Sequence, residues 1–378
     1  MSGAALSSPS DFKKILVIRR GKIGDTIMAS GALKLLRSIY PSAYIAVLTS
    51  PLCRPLIDDP DIVDLVIEDA PPTGKLSYSI YKTMQALRLR SLRFDVCFLM
   101  GESRSNAKRL QRWANIPVRV CASQGERYRG LADHCTHVVR REDTPARHEV
   151  DFFQDIVRSV TGSQESAAPF MAQLPRTDLP ALARAAAAPG KKIALCIQGS
   201  KYNLHRWPYE SILSCLKTLG GKGYSLFALV SHGEEGRQVT ELAREAAVSI
   251  DVIPGSLAES ARLLRAMDLL LSIDSGQVHM AAALGVPVLS LAGPTVLETY
   301  PYTLRGLALA TTPGCRYECP FLNSCPTNKK VGDKPADGFC PPCMRALPPA
   351  IVCEYVERIL ENPEQPEPYH ILIPPEMG

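Results

Sequence analysis

Apolar residues along this chain come in short unbroken stretches rather than in strict alternation with polar ones. Residues 14–19 read KILVIR, 43–50 AYIAVLTS, 191–197 KKIALCI, 224–230 YSLFALV, 268–274 DLLLSID and 286–293 VPVLSLAG. Runs of this length predict strands buried on both faces, as in parallel sheets. DIVDLVIED (61–69), FDVCFLM (94–100) and VSIDVIP (248–254) add three weaker strand-like runs. Segments with helical spacing lie between them: TIMASGALKLLRSIY, ESILSCLKTLGGKG, EEGRQVTELAREAA, SLAESARLLRAM and HMAAALG. Strand, turn, helix, strand is the βαβ unit.

The alternation lapses over 161–190, where Ala and Pro accumulate, and then restarts. That stretch reads as a partly helical inter-domain connection. The prediction is an α/β protein of two facing, doubly wound, Rossmann-like domains, with ligands at the C-terminal strand ends. The N-terminal domain is expected at 1–180, the C-terminal domain at 181–350, and a C-terminal helix with an extended tail at 351–378. A length of 378 residues agrees, being more than one hydrophobic core usually serves.

Composition narrows the partners. Hydrophobic residues make up 46% and charged residues 21%, which fits a globular chain. The net charge of +5 suits an anionic substrate or a membrane surface. No basic run interleaved with aromatics occurs, so nucleic acid is not an expected partner. The opening MSGAALSSPSDFKK lacks the apolar core of a secretory signal, and no apolar run nears the roughly 20 residues of a membrane span. A cytoplasmic location is expected.

Three strand ends carry candidate chemistry. In RRGKIGDT (19–26) a glycine-bearing turn leads into a helix. It lacks the Gly-Lys-Ser/Thr of a Walker loop and the spacing of a dinucleotide fingerprint. Asp25, after Gly24, is placed to act as a general base or to cap the helix. In SIDSGQVH (272–279), Asp274, Ser275, Gly276 and His279 surround a helix start. The exposed N–H groups there attract anions, with simple capping as the alternative. In IQGSKYNLHRWPYE (197–210), Ser200, Lys201, His205 and Arg206 cluster beside Trp207. Such donors suit a diphosphate, or else a solvated loop.

These pieces together resemble a family. ILVIRRGKIGDTIMASGALKLLRSIYPSAYI, RWP and DLLLSIDSGQVHMAAALGVPVLSLAGPT resemble glycosyltransferase family 9, the ADP-heptose:lipopolysaccharide heptosyltransferases. The likeness covers most of 14–360 and is weakest over 100–190. It implies a GT-B fold, an inverting mechanism, no cofactor for catalysis, and a nucleotide-diphospho-sugar donor held mainly by the C-terminal domain. By position, Asp25 is the implied base for the acceptor hydroxyl. Asp274, Ser275, Gly276 and His279 are implied to hold the donor's phosphates and sugar. Glu234 matches the ribose-binding acid, with Glu235 as the other candidate, and Ser200 and Lys201 fall near the diphosphate. Two positions depart from the family pattern. His205 stands where the Lys of K-x-W-P is usual, leaving Lys201, His205 and Arg206 as candidates to neutralise the diphosphate. Gly31 stands where the first helix usually has Pro.

The implied activity is transfer of a sugar, heptose from ADP-heptose, to a lipopolysaccharide core or related surface glycan. Protein O-heptosylation and transfer of another nucleotide sugar are alternatives, as is a non-catalytic member whose metal-stabilised segment serves assembly. Arg19, Arg20, Lys22, Arg104, Lys108, Arg109 and Arg112 fall in the acceptor-side domain. They fit an anionic glycolipid or glycan acceptor and a peripheral contact with the inner membrane, or merely solvated faces.

Five of the twelve cysteines crowd between 315 and 343, spaced Cys-x3-Cys-x5-Cys-x14-Cys-x2-Cys. Cys319, Cys325, Cys340 and Cys343, with Cys315 as substitute, form a plausible four-thiolate structural site for zinc, and the resemblance to the family's heptosyltransferases implies iron as an equal alternative. Reduced thiols or disulfides are the alternatives.

Overall fold

Strand β1 (Lys14–Ile18) exposes only its first residue, and a neighbouring strand covers each of its edges. This computed structural model describes residues 12–101, 104–123, 130–144, 148–173, 179–197, 205–230, 233–303, 305–312, 325, 340–363 and 370–373. The chain divides into two units, Met1–Gln173 and Leu174–Gly378.

In the first unit, β1 leads through a short turn into α1 (Ile23–Ile39), which stops before Pro41. There follow β2 (Tyr44–Thr49), α2 (Arg54–Ile57), β3 (Leu65–Glu68), α3 (Lys75–Leu92), β4 (Val96–Leu99) and α4 (Arg104–Arg109). A π-helical turn, Leu110–Ala114, then precedes β5 (Val118–Ser123), β6 (His137–Arg140) and α5 (Glu149–Thr161). The sheet order is β3-β2-β1-β4-β5-β6, all parallel. Strand order therefore reverses at β1, where Ile18 is level with Leu48 on one side and Leu99 on the other. Ligands of open α/β sheets bind outside such a switch point.

The second unit repeats the plan. It contains α6 (Pro180–Ala187), β7 (Lys192–Cys196), α7 (Tyr209–Gly221), β8 (Ser225–Val230), α8 (Gly233–Ala246), β9 (Ile250–Pro254) and α9 (Leu257–Leu264). It continues with β10 (Leu269–Ile273), α10 (Gly276–Ala283), β11 (Val288–Leu291), β12 (Gly306–Ala310), α11 (Pro342–Arg345), α12 (Pro349–Glu361) and β13 (His370–Leu372). Its parallel order is β13-β12-β11-β10-β7-β8-β9, so the reversal falls at β7, between β10 and β8.

Three features qualify the sequence reading. Within the expected N-terminal domain of 1–180, the stretch read as an inter-domain connection packs in part on the first unit. Ser30 in α1 both donates to and accepts from the Phe170 backbone, Gln154 in α5 pairs with both backbone groups of Ala167, and the Ala172 N–H bonds to the Leu56 carbonyl. Gly31 gains a reason here: a Cβ would lie 2.9 Å from the Ala167 carbonyl oxygen, so the returning chain requires its absence. Next, VPVLSLAG is not the last strand, since β12 and β13 extend the sheet beyond it. Last, α12 puts Val352, Val356, Ile359 and Leu360 into the core of the second unit.

Candidate functional site

The turn after β1 is built around Asp25. Its Oδ2 accepts from the Lys22 N–H at 3.1 Å, and its Oδ1 pairs with the Arg19 guanidinium at 2.8 Å. Arg19 also donates to the carbonyls of Asp25 and Met100, at 3.2 and 2.8 Å, and lies 4.9 Å from the Phe153 ring centre. Capping and exposure coexist, because the Asp25 side chain keeps 42% of its surface accessible. Gly24 is buried beneath it. Gly21 is required by close approach: a Cβ there would stand 2.4 Å from the Asp25 Cβ. Sequence reasoning counted Arg19 among acceptor-side charges; the fold gives it to Asp25.

Arg20 points elsewhere, to Asp69, whose carboxylate is buried and held at 2.5 Å. Lys82 and Gln85 on α3 complete that cluster. Burial pushes the Asp69 carboxyl up, but Arg20, Lys82 and Gln85 together hold it below the usual carboxylate range.

In the second unit the switch point carries the other candidates. Asp274 directly follows β10, and Ser275 precedes α10 in extended backbone conformation. Ser275 does not cap the helix with its side chain. Its hydroxyl lies 3.1 Å from Ser272 Oγ and 4.0 Å from Cys196 Sγ at the end of β7. The first-turn N–H groups of α10, starting at Gly276, therefore have no competitor in that side chain. Asp274 Oδ2 accepts from the Thr295 hydroxyl at 2.6 Å, and His205 Nδ1 lies 3.2 Å from Thr295 Oγ1 and 3.6 Å from Asp274. His205, Asp274 and Thr295 thus meet from three separate segments. Burial and the charge of Asp274 raise the pKa of the Tyr300 hydroxyl. Thr295 ends a G-P-T motif, a usable sequence signal; Tyr300 offered none.

His279 is in the same helix's first turns but is buried. Glu234 is exposed, whereas Glu235 turns inward and lines a small cavity with Cys196, Ile197 and Val230. Burial and the charge of Glu235 push the Cys196 thiol up to about 11. Arg206 is half-buried beside Trp207, whose indole is fully enclosed and donates to the Leu347 carbonyl at 3.0 Å. That bond anchors the RWP segment to the core. Ser200 and Lys201 lie outside the described residues.

The cysteine segment is described only in part. Cys315 and Cys319 lie outside the described residues. Cys325, Cys340 and Cys343 are buried and free of disulfides, yet among the described residues no three His, Cys, Asp or Glu side chains converge to hold a metal. The Cys340 thiol donates to the Arg206 carbonyl at 3.0 Å, and burial pushes it up to about 11, with Arg345 and Arg206 opposing. With Cys315 and Cys319 outside the described residues, the three described cysteines alone form no such metal site.

Known proteins extend the picture. Residues 82–317 match the family profile "Glycosyltransferase family 9 (heptosyltransferase)". The chain is 26% identical over 306 residues to lipopolysaccharide heptosyltransferase 2 of Escherichia coli K12, covering 75% of this chain and 83% of that one. A family 9 glycosyl transferase from Veillonella parvula superposes with a TM-score of 0.72 at 15% identity, over 95% of this chain and 99% of that one. The ADP-heptose lps heptosyltransferase II of E. coli superposes with a TM-score of 0.68 at 19% identity, over 92% of this chain and 98% of that one.

Proposed function

The chain belongs to glycosyltransferase family 9, and we propose that it transfers heptose from ADP-heptose, with inversion, to a lipopolysaccharide core sugar. It is a glycosyltransferase with the paired Rossmann-like units of the GT-B fold. The observation that carries the finer reading is the exposed Asp25 carboxylate, fixed at the first unit's switch point by Arg19 and the Lys22 N–H. A carboxylate locked in place yet open to solvent is suited to accept a proton.

In the proposed step the acceptor hydroxyl gives its proton to Asp25. Its oxygen forms the new bond to the anomeric carbon while the bond from that carbon to the diphosphate oxygen breaks, and ADP departs with the electron pair. The sugar passes through an oxocarbenium-like state. Charge gathers on the leaving diphosphate, and preorganised donors stabilise it. The α10 N-terminus, His205 and Arg206 are assigned that task, with Ser200 and Lys201 assisting. Asp274, oriented by Thr295, and His279 hold the sugar and phosphates. Glu234, with Glu235 as the other candidate, is assigned the ribose. The heptose reading is supported by the 26% identity to lipopolysaccharide heptosyltransferase 2 of Escherichia coli. The proposed setting is cytoplasmic, where thiols stay reduced, and none of the ten described cysteines forms a disulfide.

Calorimetry of the purified protein against ADP-heptose, with UDP- and GDP-sugars alongside, tests this. Selective ADP-heptose binding is expected. Preference for another nucleotide sugar overturns the heptose assignment, and binding of none overturns the transfer reading.

A further inference from the structure

Helix α3 has two unlike faces. Lys82, Gln85, Ala86 and Leu89 are buried against the first unit. Opposite them, Leu76, Ile80, Met84 and Leu87 are 76%, 52%, 64% and 44% exposed. Of the nine exposed large hydrophobics among the described residues, these four share one helix. At about 100° per residue they fall within an arc of about 80°. Scattered exposed apolar residues are ordinary, but an aligned ridge of them marks an interaction surface.

Charge identifies what the ridge meets. The sequence of α3, KLSYSIYKTMQALRLRSL, contains four cations and no carboxylate. On the helical wheel Arg88 and Arg90 flank the apolar arc, each about 40° beyond an edge. Both are exposed, as are Lys75 and the following Arg93. The elements packed on α3 continue the pattern: α4 and the π-helical turn read RSNAKR and LQRWA, again without a carboxylate. An apolar ridge bordered by arginines is the form of a helix lying in a lipid interface, its side chains among acyl chains and its cations at anionic headgroups.

We propose that α3 docks on the surface of an anionic lipid bilayer. No helix among the described residues is long and apolar enough to cross a membrane, so the contact is peripheral. The inner face of the same helix reaches the catalytic turn. Lys82 and Gln85 hold Asp69, which holds Arg20, the residue after Arg19. Docking through α3 thus fixes the turn bearing Asp25 relative to the lipid surface. This goes beyond the transfer reaction and holds whichever nucleotide sugar is the donor.

The test is co-sedimentation of the full chain with phosphatidylcholine vesicles, with and without added phosphatidylglycerol. Binding to the anionic vesicles, weakened by salt, is expected. The pair Ile80→Asp and Met84→Asp should lower the bound fraction at least about tenfold. The pair Arg88→Ser and Arg90→Ser should lower it about twentyfold, on anionic vesicles only. All four side chains are exposed, so fold and donor binding should be retained, and circular dichroism and calorimetry verify that. Failure of the parent chain to bind, or binding indifferent to both pairs, overturns the proposal. So does a concentration-dependent dimer abolished by Ile80→Asp and Met84→Asp, which would make the ridge a self-association surface.

Discussion

The turn after β1 and the turn after β10 share one plan, a strand ending in a helix with an aspartate at the junction, and solve it in opposite ways. Asp25 is held by its own neighbourhood: partners three and six residues away cap the helix and pair the carboxylate. Asp274 is held from afar. Its hydrogen-bond donor Thr295 lies 21 residues on, and that residue meets His205 across a separation of 90. The local solution yields a rigid group whose position survives changes elsewhere, which suits a base. The long-range solution depends on several loops ending at one place, which suits a ligand cradle that must admit and release a large anion. Ser275 sharpens the contrast, because it leaves the first turn of α10 to a ligand while Asp25 uses its own carboxylate as cap.

The comparison can be broken first at the base. Asp25→Asn keeps the shape and a hydrogen-bond acceptor, so transfer should fall about a thousandfold while ADP-heptose affinity, read by calorimetry, stays level. A small loss of rate would remove Asp25 from the chemistry. Asp69→Asn strands buried Lys82 and should cost about 3 kcal/mol of stability in urea unfolding. The pH dependence follows from its depressed carboxyl. Its contribution is complete above the ordinary aspartate value of about 4 and is lost as pH falls through the lower folded value, so the variant should flatten that acid limb.

Gly21→Ala drives a methyl into the Asp25 side chain and should slow transfer about a hundredfold with little change in donor binding. Thr295→Val removes the donor to Asp274 and should raise the ADP-heptose dissociation constant about tenfold with the base untouched. Ser275→Ala is the finest probe. A capping serine would cost about 1 kcal/mol on removal. Here thermal stability should scarcely move while donor binding weakens a few-fold, and a clear drop in melting temperature would restore the capping role.

The strands most easily read from sequence were those covered on both sides. KILVI, YIAVLT, KIALC, SLFALV and LLLSI each sit inside a parallel sheet, where burial demands unbroken apolar runs. VRVCAS, HVVR and GLALA were missed because they are short, charged or flanked by polar loops, and pairing rather than composition makes them strands. HIL went unread inside a proline-rich tail for the same reason. At the site, Asp25, Asp274 and Ser275 were legible because each interrupts an apolar run at a strand end. Thr295 carried no assigned role and Arg19 only that of an acceptor-side charge, since nothing local says whom a side chain will meet.

Sequence alone determined the α/β class, the doubling of the Rossmann-like plan and the two aspartate-bearing turns, because periodicity and turn chemistry are local properties that a linear string records; the family came from the resemblance of its motif stretches. Tertiary structure decided the rest. It assigned Arg19 to Asp25, brought His205 and Thr295 to Asp274, and turned Glu235 rather than Glu234 inward. It kept the three described cysteines of the crowded segment from converging, and it left one apolar ridge of α3 uncovered. Each of these depends on which distant segments a parallel sheet brings side by side, and that pairing is settled only when the whole sheet is assembled.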